Sequence, residues 1–169
     1  MPLIDPRPDR HAERLLRIIE KRLGSVPPHF RFFAALNPER FRHFLDEIAY
    51  IAEHPRIDPD FFIFLRRIVA ERHGYDYCKS FNETMLRQRG YTPDRIRNVL
   101  EDPGTLPLDA AHRRLMTTVL RTTETPESLD AKTLETLHRY GWSDADIFDA
   151  IDHGAFLFRY SVLLRAYRI

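Results

Sequence analysis

The single cysteine of the chain, Cys78, lies in the run His73-Gly-Tyr-Asp-Tyr-Cys-Lys-Ser-Phe-Asn82. A thiolate is a strong nucleophile, and it becomes available where a helix N-terminus or a nearby cation lowers the thiol pKa. Cys78 and Asn82 are four residues apart, so on a helix they share one face with Phe81 and Met85. Two readings stay open at this point: a redox thiol, and a small hydrophobe on a core stripe. A helix start and Lys79 would favour the thiolate, while Asp76 and apolar burial would oppose it. Asn82 can hydrogen-bond but does not titrate, so it cannot act as a general base. The remaining acid and base candidates are Glu71, on the helix before Cys78, and His153, which has Asp152, Arg159 and Tyr160 near it in sequence. The eight histidines show no His-x-x-x-His spacing and there is one cysteine, so no metal site is expected. Without a Gly-rich phosphate loop or a Gly-x-Ser-x-Gly elbow, no cofactor is expected either.

The elements that must position these residues are helices. From Asp9, apolar residues Ala12, Leu15, Leu16 and Ile19 recur at helical spacing up to Gly24, a left-handed stop. Pro27-Pro28 should open a short helix, and Asn37-Pro38, Asp58-Pro59 and Thr92-Pro93 each read as a cap followed by a first-turn proline that opens another. Gly74 ends the helix from Asp58, and Asp76 is the expected N-cap of the helix that carries Tyr77, Cys78, Phe81 and Met85. Asp102-Pro-Gly-Thr-Leu-Pro107 is expected to be a non-helical break. Further helices are expected from about Asp109 to Arg121, from about Asp130 to Tyr140, and from Ser143 to near Arg168. Ser143 with Asp146 forms a capping box. No stretch alternates polar and apolar residues for long, so the fold should be all-α.

Residues 86–102 align without gaps on residues 137–153, Gly90 falling on Gly141. In both copies a leucine, the glycine, an aromatic (Tyr91, Trp142), a hydroxyl cap (Thr92, Ser143) and an isoleucine (Ile96, Ile147) are in register. This is a repeated helical hairpin. Helix-turn-helix geometry raises DNA binding, but the first copy carries Arg87, Arg89, Arg95 and Arg97, whereas the second carries Asp144, Asp146, Asp149 and Asp152. Opposite charge on the two copies fits solvated faces better than a phosphate-tracking role, and no nucleic-acid partner is expected.

The bulk properties agree with one soluble domain. At 169 residues and a formal net charge of +1 there is no global field toward nucleic acid or an anionic membrane. The apolar run Phe61 to Leu65 is far short of the ~20 residues of a membrane span. Lack of an apolar leader and of a disulfide pair suggests a cytoplasmic protein with a single domain over 1–169 and a flexible leader over 1–8.

Taken together, these segments resemble the carboxymuconolactone decarboxylase and alkylhydroperoxidase D-like superfamily, in particular its peroxidase-related branch. The resemblance is carried by Gly24-Ser-Val-Pro-Pro-His-Phe30 with Asn37-Pro-Glu39 and by Arg67-Ile-Val-Ala-Glu-Arg-His-Gly-Tyr-Asp-Tyr-Cys78. Both Gly-aromatic-Thr/Ser corners and the run Ile151-Asp-His-Gly-Ala-Phe-Leu-Phe-Arg-Tyr160 add to it. It implies an alkylhydroperoxidase D-like helical fold and a symmetric homo-oligomer. Active peroxidases of the family look like Gly-Cys-x-x-Cys-x-x-x-His with a glutamate on the preceding helix. By position, the attacking cysteine is Cys78, whereas Tyr75 stands for the resolving cysteine, Asn82 for the histidine and Ile63 for the glutamate. Tyr75 cannot close a disulfide, so two-cysteine turnover within the chain is excluded.

Three functions follow as expectations. In the first, two-cysteine peroxidase activity has been lost, and a small apolar pocket near Cys78, bounded by Ile63, Tyr75 and Phe81, serves a binding or structural role. In the second, Cys78 works alone as a thiol peroxidase or redox sensor, an antioxidant oxidoreductase acting on a peroxide ligand. In the third, the chain is a lyase like carboxymuconolactone decarboxylase, with His153 and Glu71 as its acid and base. The residues leave open whether the chain is an enzyme.

Overall fold

The computed structural model describes residues 3–169. Nine α-helices follow one another, with no strand among the described residues: α1 (Arg10–Leu23), α2 (Pro28–Leu36), α3 (Pro38–Ala52), α4 (Pro59–His73), α5 (Asp76–Gln88), α6 (Pro93–Glu101), α7 (Ala110–Glu124), α8 (Ala131–Arg139) and α9 (Asp144–Tyr167). Of the expected leader, residues 1 and 2 lie outside the described residues; Leu3 donates its N–H to the Tyr167 carbonyl at 3.1 Å.

The helix boundaries have local causes. Asp9, Thr92, Asp109 and Asp130 each accept a hydrogen bond from the backbone N–H three residues on, and Asp58 accepts from Asp60 N–H. Each cap is worth about 1 kcal/mol. The Ser143–Asp146 box is reciprocal: Asp146 accepts from Ser143 N–H at 2.8 Å, and Ser143 Oγ accepts from Asp146 N–H at 3.2 Å. Residues 103–105 form one 3-10 turn, so the expected break is not wholly irregular. Asp102 makes that turn by accepting from Gly104 N–H at 2.9 Å.

The repeat is visible in atomic detail. Gly90 and Gly141 have φ of 91° and 92°, which an L side chain rarely adopts. Tyr91 N–H bonds the Leu86 carbonyl at 3.1 Å, and Trp142 N–H bonds that of Leu137 at 3.2 Å. This is the same six-residue closure in α5–α6 and α8–α9.

The chain divides into two compact units, one of residues up to Tyr50 with Val162–Ile169, the other of Ile51–Ser161. In the first, Phe30 meets Phe41 and Phe44 edge-on, and Phe32 packs on Tyr167. The second is built around α4. Its residues Phe61, Phe62, Ile63, Phe64 and Leu65 are all at most 1% exposed, so this stretch of the helix is apolar all round and has neighbours on every side. It packs against α5, α6 and α7. Loop residues join this core: His112 accepts from Asp58 N–H, and Trp142 donates its indole N–H to the Ala111 carbonyl at 3.0 Å.

Candidate functional site

All the candidate residues lie in the second unit. The helix that carries Cys78 starts one residue earlier than the cap pattern suggests. Asp76 is its first helical residue, and Tyr75, with φ −98° and ψ 84°, occupies the cap without a side-chain hydrogen bond. The Tyr75 carbonyl accepts from Lys79 N–H at 2.8 Å, while the exposed Asp76 carboxylate turns to the Lys79 ammonium at 3.3 Å. Cys78 is therefore the third residue of α5, where a helix N-terminus favours a thiolate. Burial outweighs that effect. The half-buried thiol is pushed up to about 11 by desolvation, against the opposing pull of the Arg66 charge. At such a value a fraction on the order of 10⁻⁴ is thiolate at neutral pH. The Tyr75 phenol is raised too, by burial and by Cys78. Thiol and phenol are both neutral.

The residue that organises this site is Arg66, which the cysteine motif does not point to. It lies one turn beyond Phe62 on α4, and its Nε donates to Asn82 Oδ1 at 3.2 Å. Asn82, 3% exposed, uses its amide N–H on the Cys78 carbonyl at 2.7 Å. Both bonds fix the amide orientation, because a flipped amide would turn its NH2 toward a guanidinium that has only donors. Where the family pattern has a titrating histidine, Asn82 is thus a bracket between Arg66 and the first turn of α5. Burial lowers Arg66 to about 10, with Arg89 adding to the effect and Cys78 opposing it.

His153 reaches the same region from α9. It is 1% exposed, its ring lies edge-on to Phe62 and stacked on Phe156, both with centroids 5.4 Å away, and neither ring nitrogen has a hydrogen-bond partner. Burial and the Arg66 charge hold it neutral, down to about 3. Asp152 and Arg159, its expected companions, are exposed.

The other sequence candidates are engaged elsewhere. Glu71 accepts from Arg67 at 2.6 Å, and Lys79 is 3.7 Å away, so its carboxylate is held below the usual range chiefly by the Arg67 hydrogen bond. Arg67, 7% exposed, is shared between Glu71 and Glu83 and ties α4 to α5. Ile63 is core, and Phe81 stacks on Tyr77 with centroids 5.9 Å apart. A separate cleft of about 590 Å³ opens between α4, α7 and α9, floored by Val69, Leu120 and Gly154, with the Arg72–Glu124 ion pair among its lining residues. Cys78, Asn82 and His153 do not line it. Among the described residues no three His, Cys, Asp or Glu side chains converge as for a metal, and no helix is long and apolar enough to cross a membrane.

No protein-family model and no curated protein matches the sequence. Solved structures do resemble the fold. An uncharacterized peroxidase-related protein from Silicibacter sp. TM1040 is similar with a TM-score of 0.82 at 21% identity, over 99% of this chain and 87% of the other. An uncharacterized peroxidase-related protein from Ralstonia eutropha JMP134 with an alkylhydroperoxidase AhpD core gives 0.79 at 16% identity, over 94% and 84%. The debrominase Bmp8, as a cysteine-to-alanine variant in complex with 2,3,4-tribromopyrrole, gives 0.68 at 18%, over 98% and 92%. The chain therefore has the alkylhydroperoxidase D-like helical fold, as the sequence resemblance implies.

Proposed function

We propose that this protein keeps the alkylhydroperoxidase D-like fold without two-cysteine peroxidase activity, and that the region around Cys78 now binds a small ligand. The observation that carries this reading is the state of the thiol. Cys78 is desolvated and protonated at neutral pH, beside a tyrosine in the resolving position and a bracketing asparagine in the basic one. A protonated thiol attacks peroxide poorly, and no second sulfur can recover a sulfenic acid within the chain. The Bmp8 complex supports the binding half, since a protein of similar fold holds a small halogenated aromatic.

A one-cysteine peroxidase or sensor is favoured by one observation, the Arg66 charge, which draws the Cys78 pKa down. Peroxide consumption separates the two readings. Hydrogen peroxide or cumene hydroperoxide, with dithiothreitol as reductant, should disappear no faster with the protein than with its Cys78→Ser variant. Turnover that vanishes in Cys78→Ser would overturn the proposal in favour of the one-cysteine enzyme.

A further inference from the structure

The solvent side of α9 departs from that of α6, its counterpart in the repeat. In the gapless alignment Ala145, Phe148 and Asp152 fall on Asp94, Arg97 and Glu101, and all six are exposed. On α6 this is an ordinary solvated face, closed by an ion pair between Asp94 and Arg97. On α9 an alanine and a phenylalanine replace that pair. Phe148, at 68%, is the most exposed large hydrophobic side chain among the described residues. The stripe then continues past the end of the repeat: Ala145, Phe148, Asp152, Ala155 and Arg159 follow one another at three, four, three and four residues, and all five are exposed. All five lie in the second unit. This is the spacing of a helix that packs along one seam against another helix. The inner side of α9 is already filled by Ile147, Ala150, His153 and Phe156, so the stripe is a second packing face.

From this geometry we infer that the stripe is a self-complementary contact for a second copy of this chain, with two α9 helices lying antiparallel across a two-fold axis at Ala155. Charge selects both the occupant and the direction. Asp152 and Arg159 are seven residues apart, about two helical turns, and Ala155 lies midway between them. Antiparallel pairing about Ala155 therefore sets Asp152 of each copy against Arg159 of the other, twice, because an isologous interface repeats every contact. Parallel pairing would bring Asp152 to Asp152 and Arg159 to Arg159, like charges together. The stripe carries both halves of the charge pattern, which a second copy matches and an arbitrary partner does not. Ala155 at the centre allows the close end of the range of about 8–10 Å at which helices pack. Phe148, one turn outside each ion pair, shields it from water and so strengthens it. Arg159 stands over the Phe156 and Tyr160 rings at 5.2 and 5.1 Å, and a planar guanidinium that stacks in this way can also donate in its plane.

Sedimentation velocity of the reduced full-length protein over a dilution series, at fixed ionic strength, tests this by charge reversal. The wild-type chain should sediment as a dimer that dissociates on dilution. Asp152→Arg and Arg159→Asp should each weaken the dimer at least about tenfold, because each substitution sets like charges opposite one another at both symmetric contacts. An equimolar mixture of the two variants should recover the dimer, since in the mixed pair both contacts again join opposite charges. Phe148→Ser should weaken the wild-type dimer by about tenfold as well. A wild-type chain that is monomeric at every concentration, an assembly with an odd number of chains, charge variants as dimeric as the wild type, or no recovery in the mixture would each overturn the contact. All three side chains are exposed, so the variants should keep the native circular dichroism spectrum. If a charge variant does not fold, the dilution series of Phe148→Ser still decides, and a dimer undiminished in it overturns the contact.

Discussion

Asn82 holds two neighbours at once, and that makes its loss measurable. Its oxygen is the acceptor for Arg66 Nε, and its amide N–H reaches the Cys78 carbonyl from one turn away. Asn82→Ala leaves a half-buried guanidinium N–H without its protein partner, at about 1–3 kcal/mol, offset by about 0.5 kcal/mol of better helix propensity. The expected net loss is about 1–2 kcal/mol in urea unfolding. The same substitution in an Arg66→Gln background should cost measurably less, because the group it orphans has changed; equal costs in the two backgrounds would mean that the two residues are not coupled. Cys78, Asn82, Tyr75 and His153 are legible in the sequence as residues of one region, because the cysteine motif and the family resemblance mark them. Arg66 is not, because Arg66-Arg67 read alone looks like a solvated turn. The available signal is the run Phe61 to Leu65: five consecutive apolar residues make a helix buried on every face, so charges in its next turn also face protein. Glu71 misleads for the matching reason. It lies on the right helix, but four residues beyond Arg67, which captures it.

At the scale of elements, the contact between α7 and α9 depends on a missing side chain. A Cβ built on Gly154 would lie 2.8 Å from Thr123 Cγ2 and 2.9 Å from Val119 Cγ1. Both methyls belong to β-branched residues on a helix, where χ1 is restricted, so neither can swing aside. Gly154→Ala gains about 1 kcal/mol of helix propensity but overpacks the contact by about 1–3 kcal/mol. It should therefore be neutral to destabilising by about 2 kcal/mol, instead of stabilising as at an open helical site. A stabilised Gly154→Ala single variant would show that the helices separate without cost. Nearly all helix starts and stops can be read in advance, since a cap followed by proline and a left-handed glycine are local signals. Asp76 and the 103–105 turn cannot. The first is decided by the Tyr75 carbonyl, which closes the turn in place of the Asp76 carboxylate, and the second by Asp102, which can cap a single 3-10 turn even beside proline and glycine.

For the whole molecule, two desolvated imidazoles set how stability changes with pH. His29 in the first unit is held down to about 4 by burial, and His153 in the second to about 3 by burial and Arg66. Both folded values lie below the ordinary value of about 6.5, so the unfolded chain takes up protons first as pH falls. The stability these neutral rings contribute is complete above about pH 6.5. It declines below that by up to about 1.4 kcal/mol per pH unit for each histidine, until the folded values are reached. The carboxylates with lowered values, Glu71, Asp109 and Asp146, add their own losses only nearer about pH 4. The interval from about pH 6.5 to about 4.8 is therefore governed by histidine. Urea midpoints across it should fall steadily, and His153→Phe should flatten the fall for the unfolding of Ile51–Ser161 while leaving the His29 contribution intact. If the two units unfold in separate transitions, only that of the second should change slope. An unaltered slope in His153→Phe would mean that His153 can accept a proton in the folded protein at mildly acidic pH, which its apolar packing against Phe62 and Phe156 opposes.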